Sequence, residues 1–230
     1  MKINCLIVDD EKVSRKVVAR YVELTNYLHL TKECETAEEA LQILKEEDID
    51  IIFLDIQMPG MSGMELLQTF DNAYEVILIT GVDSYAVQAF ENKATDYLVK
   101  PFDYNRFLKA VTRAKENIEN FRSKSEKFTD LFFKSDSRMV RAEFSNIFYI
   151  EAMADYVVIV TENAKYIVHS TMKGIENRLP SSMFARVHRS YIVNMKKIEY
   201  MEDMAVHMRG KAIPIGASYK ENYMERLNFL

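Results

Sequence analysis

The chain has 230 residues, 48% hydrophobic and 28% charged, enough for two ordinary domains that each bury a core. No apolar run approaches a membrane span, and the start MKINCLIVDDE turns acidic before any cleavage-type segment; a cytoplasmic protein without membrane insertion or export is therefore expected. Residues 1–122 carry 14 basic against 22 acidic side chains, a net of −8, and residues 123–230 carry 16 against 13, a net of +3, as two domains with different partners would.

The front half alternates between two periods. INCLIVDD (3–10) opens with a continuous apolar run, as a strand buried on both faces should, and LHLTKEC (28–34) is a weaker version. Between them Val13, Val17, Tyr21 and Leu24 recur at helical spacing, and Ala37, Ala40, Leu41 and Leu44 repeat it behind a Thr36-x-x-Glu39 helix start. IDIIFLD (49–55), EVILIT (75–80) and DYLVK (96–100) supply three more strands. GMELLQTF, SYAVQAFENK and DYNRFLKAVTRAKENIENF supply three more helices. Five strands alternating with five helices predict a doubly wound α/β domain with a parallel sheet and right-handed crossovers. The last helix runs on into the polar RSKSEKF (122–128), which serves as extension or linker.

Beyond residue 130 the pattern becomes short, β-branched and aromatic. DLFFKSD, RMVRAEFSNIFYIEA, DYVVIVT, KYIVHS, FARVHRSYIVN, KIEYMED, MAVHMRG and AIPI read as mostly antiparallel strands. One amphipathic helix, TMKGIENRLP, interrupts them and SYKENYMERLNFL closes the chain. Cys5 and Cys34 lack metal-type spacing and read as reduced structural thiols.

Chemistry gathers where the front strands end. The first stops at Asp9-Asp10, the third at Asp55, the fourth at Thr80-Gly81 and the fifth at Lys100-Pro101, and a doubly wound sheet brings such ends to one edge. Crowded carboxylates repel, and a hard divalent ion with oxygen ligands, Mg²⁺ above all, relieves that repulsion. Gly60 and Gly63 let the loop after Asp55 turn where side chains would crowd it.

IVDDE, FLDIQMPGMSG, ITG and DYLVKPF together resemble the receiver domain of two-component response regulators, a flavodoxin-like fold, over residues 1–122. The resemblance implies that Asp55 accepts a phosphoryl group from a sensor histidine kinase. Asp10, Asp55 and the backbone carbonyl of Gln57 would ligate Mg²⁺ directly, and Asp9 mostly through water. Lys100 and the Thr80 hydroxyl would each take a phosphoryl oxygen, and Pro101 resembles the family's cis-proline, which would aim the lysine inward. Release of the phosphoryl group would be slow self-hydrolysis rather than metabolic catalysis. A Thr80–Tyr97 coupling is implied as the switch, although Tyr97 also fits a plain core aromatic. The fourth and fifth helical patterns, with the fifth strand, would form a face for phosphorylation-dependent homodimerisation.

In the back half, RVHRSYIVNMKK (186–197) carries a local charge of +4 without an acid, a footprint suited to phosphates. FARVHRSYIVNMKKI, preceded by YIEAMADYVVIVT, resembles the LytTR-type DNA-binding domain over residues 130–230, with 123–129 as the linker. That likeness implies loops inserted into successive grooves of double-stranded DNA. It nominates Asp155–Tyr156, the turn His188–Ser190 and the stretch before the final helix. Arg189 is the candidate for base contact, since arginine bonds guanine with two hydrogen bonds. Arg186, Lys196, Lys197 and Lys220 are candidates for phosphate contact, Asn194 lies within the same interface segment, and His188 is open to a bracing role. Gly216-Ala217 departs from the Ser-Arg that many members carry there, which removes an expected basic contact.

Two other readings compete. A receiver governing a protein partner, without specific DNA binding, would leave the basic loop merely solvated. An Asp-nucleophile phosphatase would want an acid two positions after the nucleophile, where this chain has Gln57.

Overall fold

The computed structural model describes residues 2–70, 73–81 and 94–227. It divides into two units, Met1–Asn120 and Phe121–Leu230.

In the first unit β1 (Ile3–Val8), β2 (Leu28–Cys34), β3 (Ile51–Asp55), β4 (Glu75–Thr80) and β5 (Asp96–Val99) pair in the order β2-β1-β3-β4-β5, all parallel. Alternation along each central strand explains why the runs are apolar throughout. Cys5, Ile7, Ile51, Phe53, Ile77 and Ile79 pack on one side with α1 (Lys12–Leu24) and α4 (Tyr104–Ser125). Leu6, Val8, Ile52, Leu54, Val76 and Leu78 pack on the other with α2 (Ala37–Glu46) and α3 (Gly63–Gln68). Both cysteines are buried; burial drives the Cys5 thiol far above its usual range and pushes Cys34 up to about 12. The helix expected at 84–93 lies outside the described residues.

One helical pattern faces the other way from a simple amphipathic reading. In α1 the buried residues are Ser14, Arg15, Val18 and Val22, while Val13, Val17 and Leu24 are exposed. The reason lies at the helix start. Ser14 Oγ donates to Asp9 Oδ2 at 2.5 Å and Arg15 Nη1 donates to the Asp9 carbonyl at 2.7 Å, so two polar side chains turn inward. At α2, Thr36 Oγ1 accepts from the Glu39 N–H at 3.2 Å as the spacing predicts. The Glu39 carboxylate, however, receives the N–H of Glu35, so the cap is one-sided.

The second unit is antiparallel. A hairpin of β6 (Asp130–Ser135) and β7 (Arg138–Glu143) precedes a five-stranded sheet ordered β10-β9-β8-β12-β11. Its strands are β8 (Ile147–Met153), β9 (Tyr156–Thr161), β10 (Lys165–Val168), β11 (Phe184–His188) and β12 (Tyr191–Asn194). A three-stranded sheet follows, β13 (Tyr200–Glu202), β14 (Ala205–Met208) and β15 (Lys211–Pro214). The β6–β7 turn holds Asp136 and Ser137 at φ 48° and 63°, the left-handed pair that matches the twist of a two-residue hairpin. One apolar cluster joins Phe133, Phe144, Ile150, Ile159 and Ile192 to α5 (Met172–Glu176). A second joins Tyr149, Val160 and Val193 to Val206, Ile213 and Tyr223 of α6 (Ala217–Met224).

Candidate functional site

The first site forms where β1, β3 and β5 end. Asp9 and Asp55 are buried, Asp10 is exposed, and one carboxylate oxygen from each lies within 4.8 Å of the others. Lys100 Nζ stands 2.8 Å from Asp9 Oδ2, 3.0 Å from Asp55 Oδ2 and 3.8 Å from Glu11 Oε2. The Lys100–Pro101 peptide is cis. Asp9 is further held by the Glu11 N–H at 2.8 Å and by Ser14, and Asp55 Oδ1 accepts from the Gln57 N–H at 3.2 Å. Three hard oxygen donors gathered in this way fit a small divalent ion.

The electrostatics pull in opposite directions. Burial pushes the Asp55 carboxyl above its usual range, against the hydrogen bond and charge of Lys100, and the neighbouring charge of Asp9 adds to the rise. Burial acts to lower Lys100, but its bonds to Asp9 and Asp55 outweigh it and hold the ammonium above its usual range.

The remaining receiver residues fall beside this edge. Thr80 is wholly buried at the end of β4, and its carbonyl accepts from the Lys100 N–H at 2.8 Å. Tyr97 is half-buried on β5 opposite Leu78, packed against the apolar cluster of the α2–α3 side. Gly63 has a steric reason for being glycine: a Cβ there would stand 1.9 Å from the Asp55 carbonyl oxygen. Ser62 and Glu65 close a full capping box that starts α3 beside it. Ser14 and Arg15 are functional neighbours of Asp9 that helical periodicity conceals; the sequence signal they carry is position, about one helical turn after the paired acids.

The second site is an end of the five-stranded sheet. The three nominated segments meet there: the Ala152 N–H donates to the Ser190 carbonyl at 2.9 Å, and the Gly216 N–H donates to the Val187 carbonyl at 2.8 Å. Asp155, Tyr156 and Arg189 are exposed, as is Lys220 on α6. The Tyr156 ring meets His169 edge-on at 5.4 Å. His188 Nδ1 accepts from the Ser190 N–H at 3.1 Å, so the imidazole braces its own turn in the neutral state. Burial, then the charges of Arg189 and Arg186, hold its pKa below the usual value of 6.5. A Cβ at Gly216 would stand 3.3 Å from His188 Cδ2 and 3.2 Å from Tyr219 Cδ2, a tight fit between two rings.

Three nominated residues occupy different surroundings. Asn194 is wholly buried; its amide donates to the Phe144 and Ile147 carbonyls at 3.1 and 2.8 Å, and Oδ1 accepts from the Lys196 N–H at 3.1 Å. It is a framework residue, because those bonds fasten it inside the unit. Lys196 and Lys197 follow β12, whose four residues carry the chain about 13 Å away from the turn. There Lys197 Nζ lies 5.2 Å over the Phe148 ring, with the Arg209 guanidinium 5.1 Å from that ring. Sequence proximity had merged two ends of one sheet. Glu151 was not foreseen either: it accepts from Tyr191 Oη at 2.5 Å and from Lys211 Nζ at 2.7 Å, anchoring the residue just after the turn.

The chain matches two family models, the response regulator receiver domain over residues 5–112 and the LytTr DNA-binding domain over residues 137–228. It is 32% identical to the sensory transduction protein LytT of Oceanobacillus iheyensis, over 86% of this chain and 83% of that one. It is 29% identical to the LytT of Bacillus cereus, over 98% and 99%. No helix among the described residues is long and apolar enough to cross a membrane.

Proposed function

Since the chain belongs to the two-component response regulators that join a receiver domain to a LytTR DNA-binding domain, we propose how its two sites divide the work. Residues 1–122 receive the signal, 123–129 form a connector that begins as the last turn of the receiver helix and leaves it after Ser125, and 130–230 bind DNA. Control of a protein partner without DNA binding is not favoured, given the second family match.

Asp55 is the phosphoacceptor. An Asp55 carboxylate oxygen forms a bond to phosphorus as the bond from the kinase histidine nitrogen breaks, leaving an acyl phosphate. Asp9, Asp10 and Asp55, with the Gln57 carbonyl, would hold a Mg²⁺ ion, which when bound would supply charge neutralisation at the transferring group. Lys100 exchanges its contact with Asp55 for a phosphoryl oxygen, and Thr80 donates its hydroxyl to another. The observation that carries this reading is the Lys100 ammonium 2.8 and 3.0 Å from two buried carboxylates with Asp10 alongside.

Movement of Thr80 vacates space that Tyr97 enters, and the face that includes β5 and α4 then pairs two copies. The paired loop faces read repeats in duplex DNA, Arg189 at a base edge and Asp155, Tyr156, Ser190 and Lys220 around it. Lys196 and Lys197 stand at the far end of the sheet, away from that face. Beryllofluoride tests the coupling: with Mg²⁺ it should raise the scattering mass toward a dimer and tighten binding to duplexes enriched from a random pool. Unchanged mass and affinity would oppose it.

A further inference from the structure

Arg186 sits in the middle of β11, where a charge is out of place. It is 9% exposed among the buried residues Phe184, Ala185 and Val187. Its guanidinium reaches three elements. Nη1 lies 3.4 Å from Glu176 Oε2 on α5, Nη2 donates to the Arg189 carbonyl at 3.1 Å, and the group stands 5.5 Å from the Tyr219 ring centroid on α6. Such a residue contrasts with the exposed Arg189 three positions on.

We infer that Arg186 is a positioning residue for the DNA-reading turn, fixing the Arg189 peptide against α5 and α6 so that Arg189 projects in one direction. The inference rests on the reading of His188–Ser190 as a DNA contact and adds how that contact acquires sequence discrimination. Two-point bonding of an arginine to guanine tolerates little displacement, so the backbone beneath it must be held by packed, hydrogen-bonded neighbours. A direct phosphate contact by Arg186 fits the geometry poorly. Little of the side chain reaches solvent, and the Glu176 carboxylate at 3.4 Å opposes an approaching anion.

The two roles separate in their salt dependence. A residue that meets a phosphate contributes about one unit to the slope of log K against log salt and weakens all duplexes alike when removed. A positioning residue leaves the slope and changes the ratio between preferred and shuffled duplexes. The experiment measures both quantities for the full-length beryllofluoride-treated protein, using a duplex it enriches from a random pool and a shuffled duplex of equal length. Arg186→Lys keeps the charge but cannot span Glu176 and the Arg189 carbonyl. Glu176→Ala removes no basic group and tests the same brace from its other side.

Both variants should lose roughly tenfold or more in the preferred-to-shuffled ratio, the scale of one misread base pair, with shuffled-duplex binding and salt slope unchanged. Retained shuffled-duplex binding reports that the unit is folded. An unchanged ratio in both variants overturns the inference, and so does a third variant, Arg186→Ala, if its slope falls by about one with the ratio intact. If the unaltered protein itself shows no preference among duplexes, the assignment of the turn as a DNA reader fails first and the brace falls with it.

Discussion

The Lys100 ammonium lies 3.0 Å from the Asp55 carboxylate, and its second bond, 2.8 Å to Asp9, joins the ends of β1, β3 and β5 through one side chain. Removing it leaves two buried acids without their cation. Lys100→Met should therefore lower stability by about 2 kcal/mol in magnesium-free buffer, less than a fully buried pair because solvent reaches the lysine. Magnesium should restore part of the loss. Urea unfolding in chelator and in Mg²⁺ checks this; equal losses in both would separate the lysine from the ion site.

Gly63 is held to glycine by the Asp55 carbonyl, 1.9 Å from where a Cβ would stand. Gly63→Ala should cost at least about 3 kcal/mol or displace the loop after β3. Gly81→Ala, with none of the described residues within 4 Å of the added carbon, should change stability by no more than about 0.5 kcal/mol. Denaturant midpoints for the two variants supply the comparison, and similar midpoints would contradict it.

His188 sets a pH dependence in the second unit. Its folded pKa lies below the usual value of 6.5, so the unfolded chain takes up the proton first as pH falls. The stability it contributes is complete above that value and is lost as pH falls through the folded pKa, where protonation also removes the acceptor for the Ser190 N–H. The difference in unfolding free energy between the unaltered protein and His188→Gln should shrink on acidification below about pH 6.5. A difference that grows there would show the sign to be wrong.

Arg189 is exposed on a turn whose carbonyl, flanks and following residue are all fixed. Arg189→Ala should weaken binding to the preferred duplex by about 1–3 kcal/mol and relax specificity at one base position. Competition binding against single-base variants of the duplex reads this, and uniform weakening across all of them would assign Arg189 to phosphate instead.

Much of this was readable in the sequence because burial on both faces leaves an unambiguous mark. The runs ending at Asp9, Asp55 and Thr80 are apolar at consecutive positions, and the polar residues that stop them stand out against that background. The parts that are not readable have two causes: polar residues drawn into the interior by partners in neighbouring elements, and strand length. Ser14 and Arg15 turn inward because Asp9 meets them, which leaves Val13 and Val17 outside. Asn194 and Arg186 look like interface residues in a basic segment, yet Phe144, Ile147 and Glu176 hold them inside. Lys196 and Lys197 were grouped with the turn because a strand's length does not register as a gap in sequence.

The phosphoacceptor assignment is tested most directly by incubating the protein with acetyl phosphate in Mg²⁺, reducing the acyl phosphate with borohydride and mapping the modified residue by mass spectrometry. Modification is expected at Asp55, absent when chelator replaces magnesium and absent in Asp55→Asn. Labelling at a different carboxylate, or label that survives Asp55→Asn at the original level, would contradict the account.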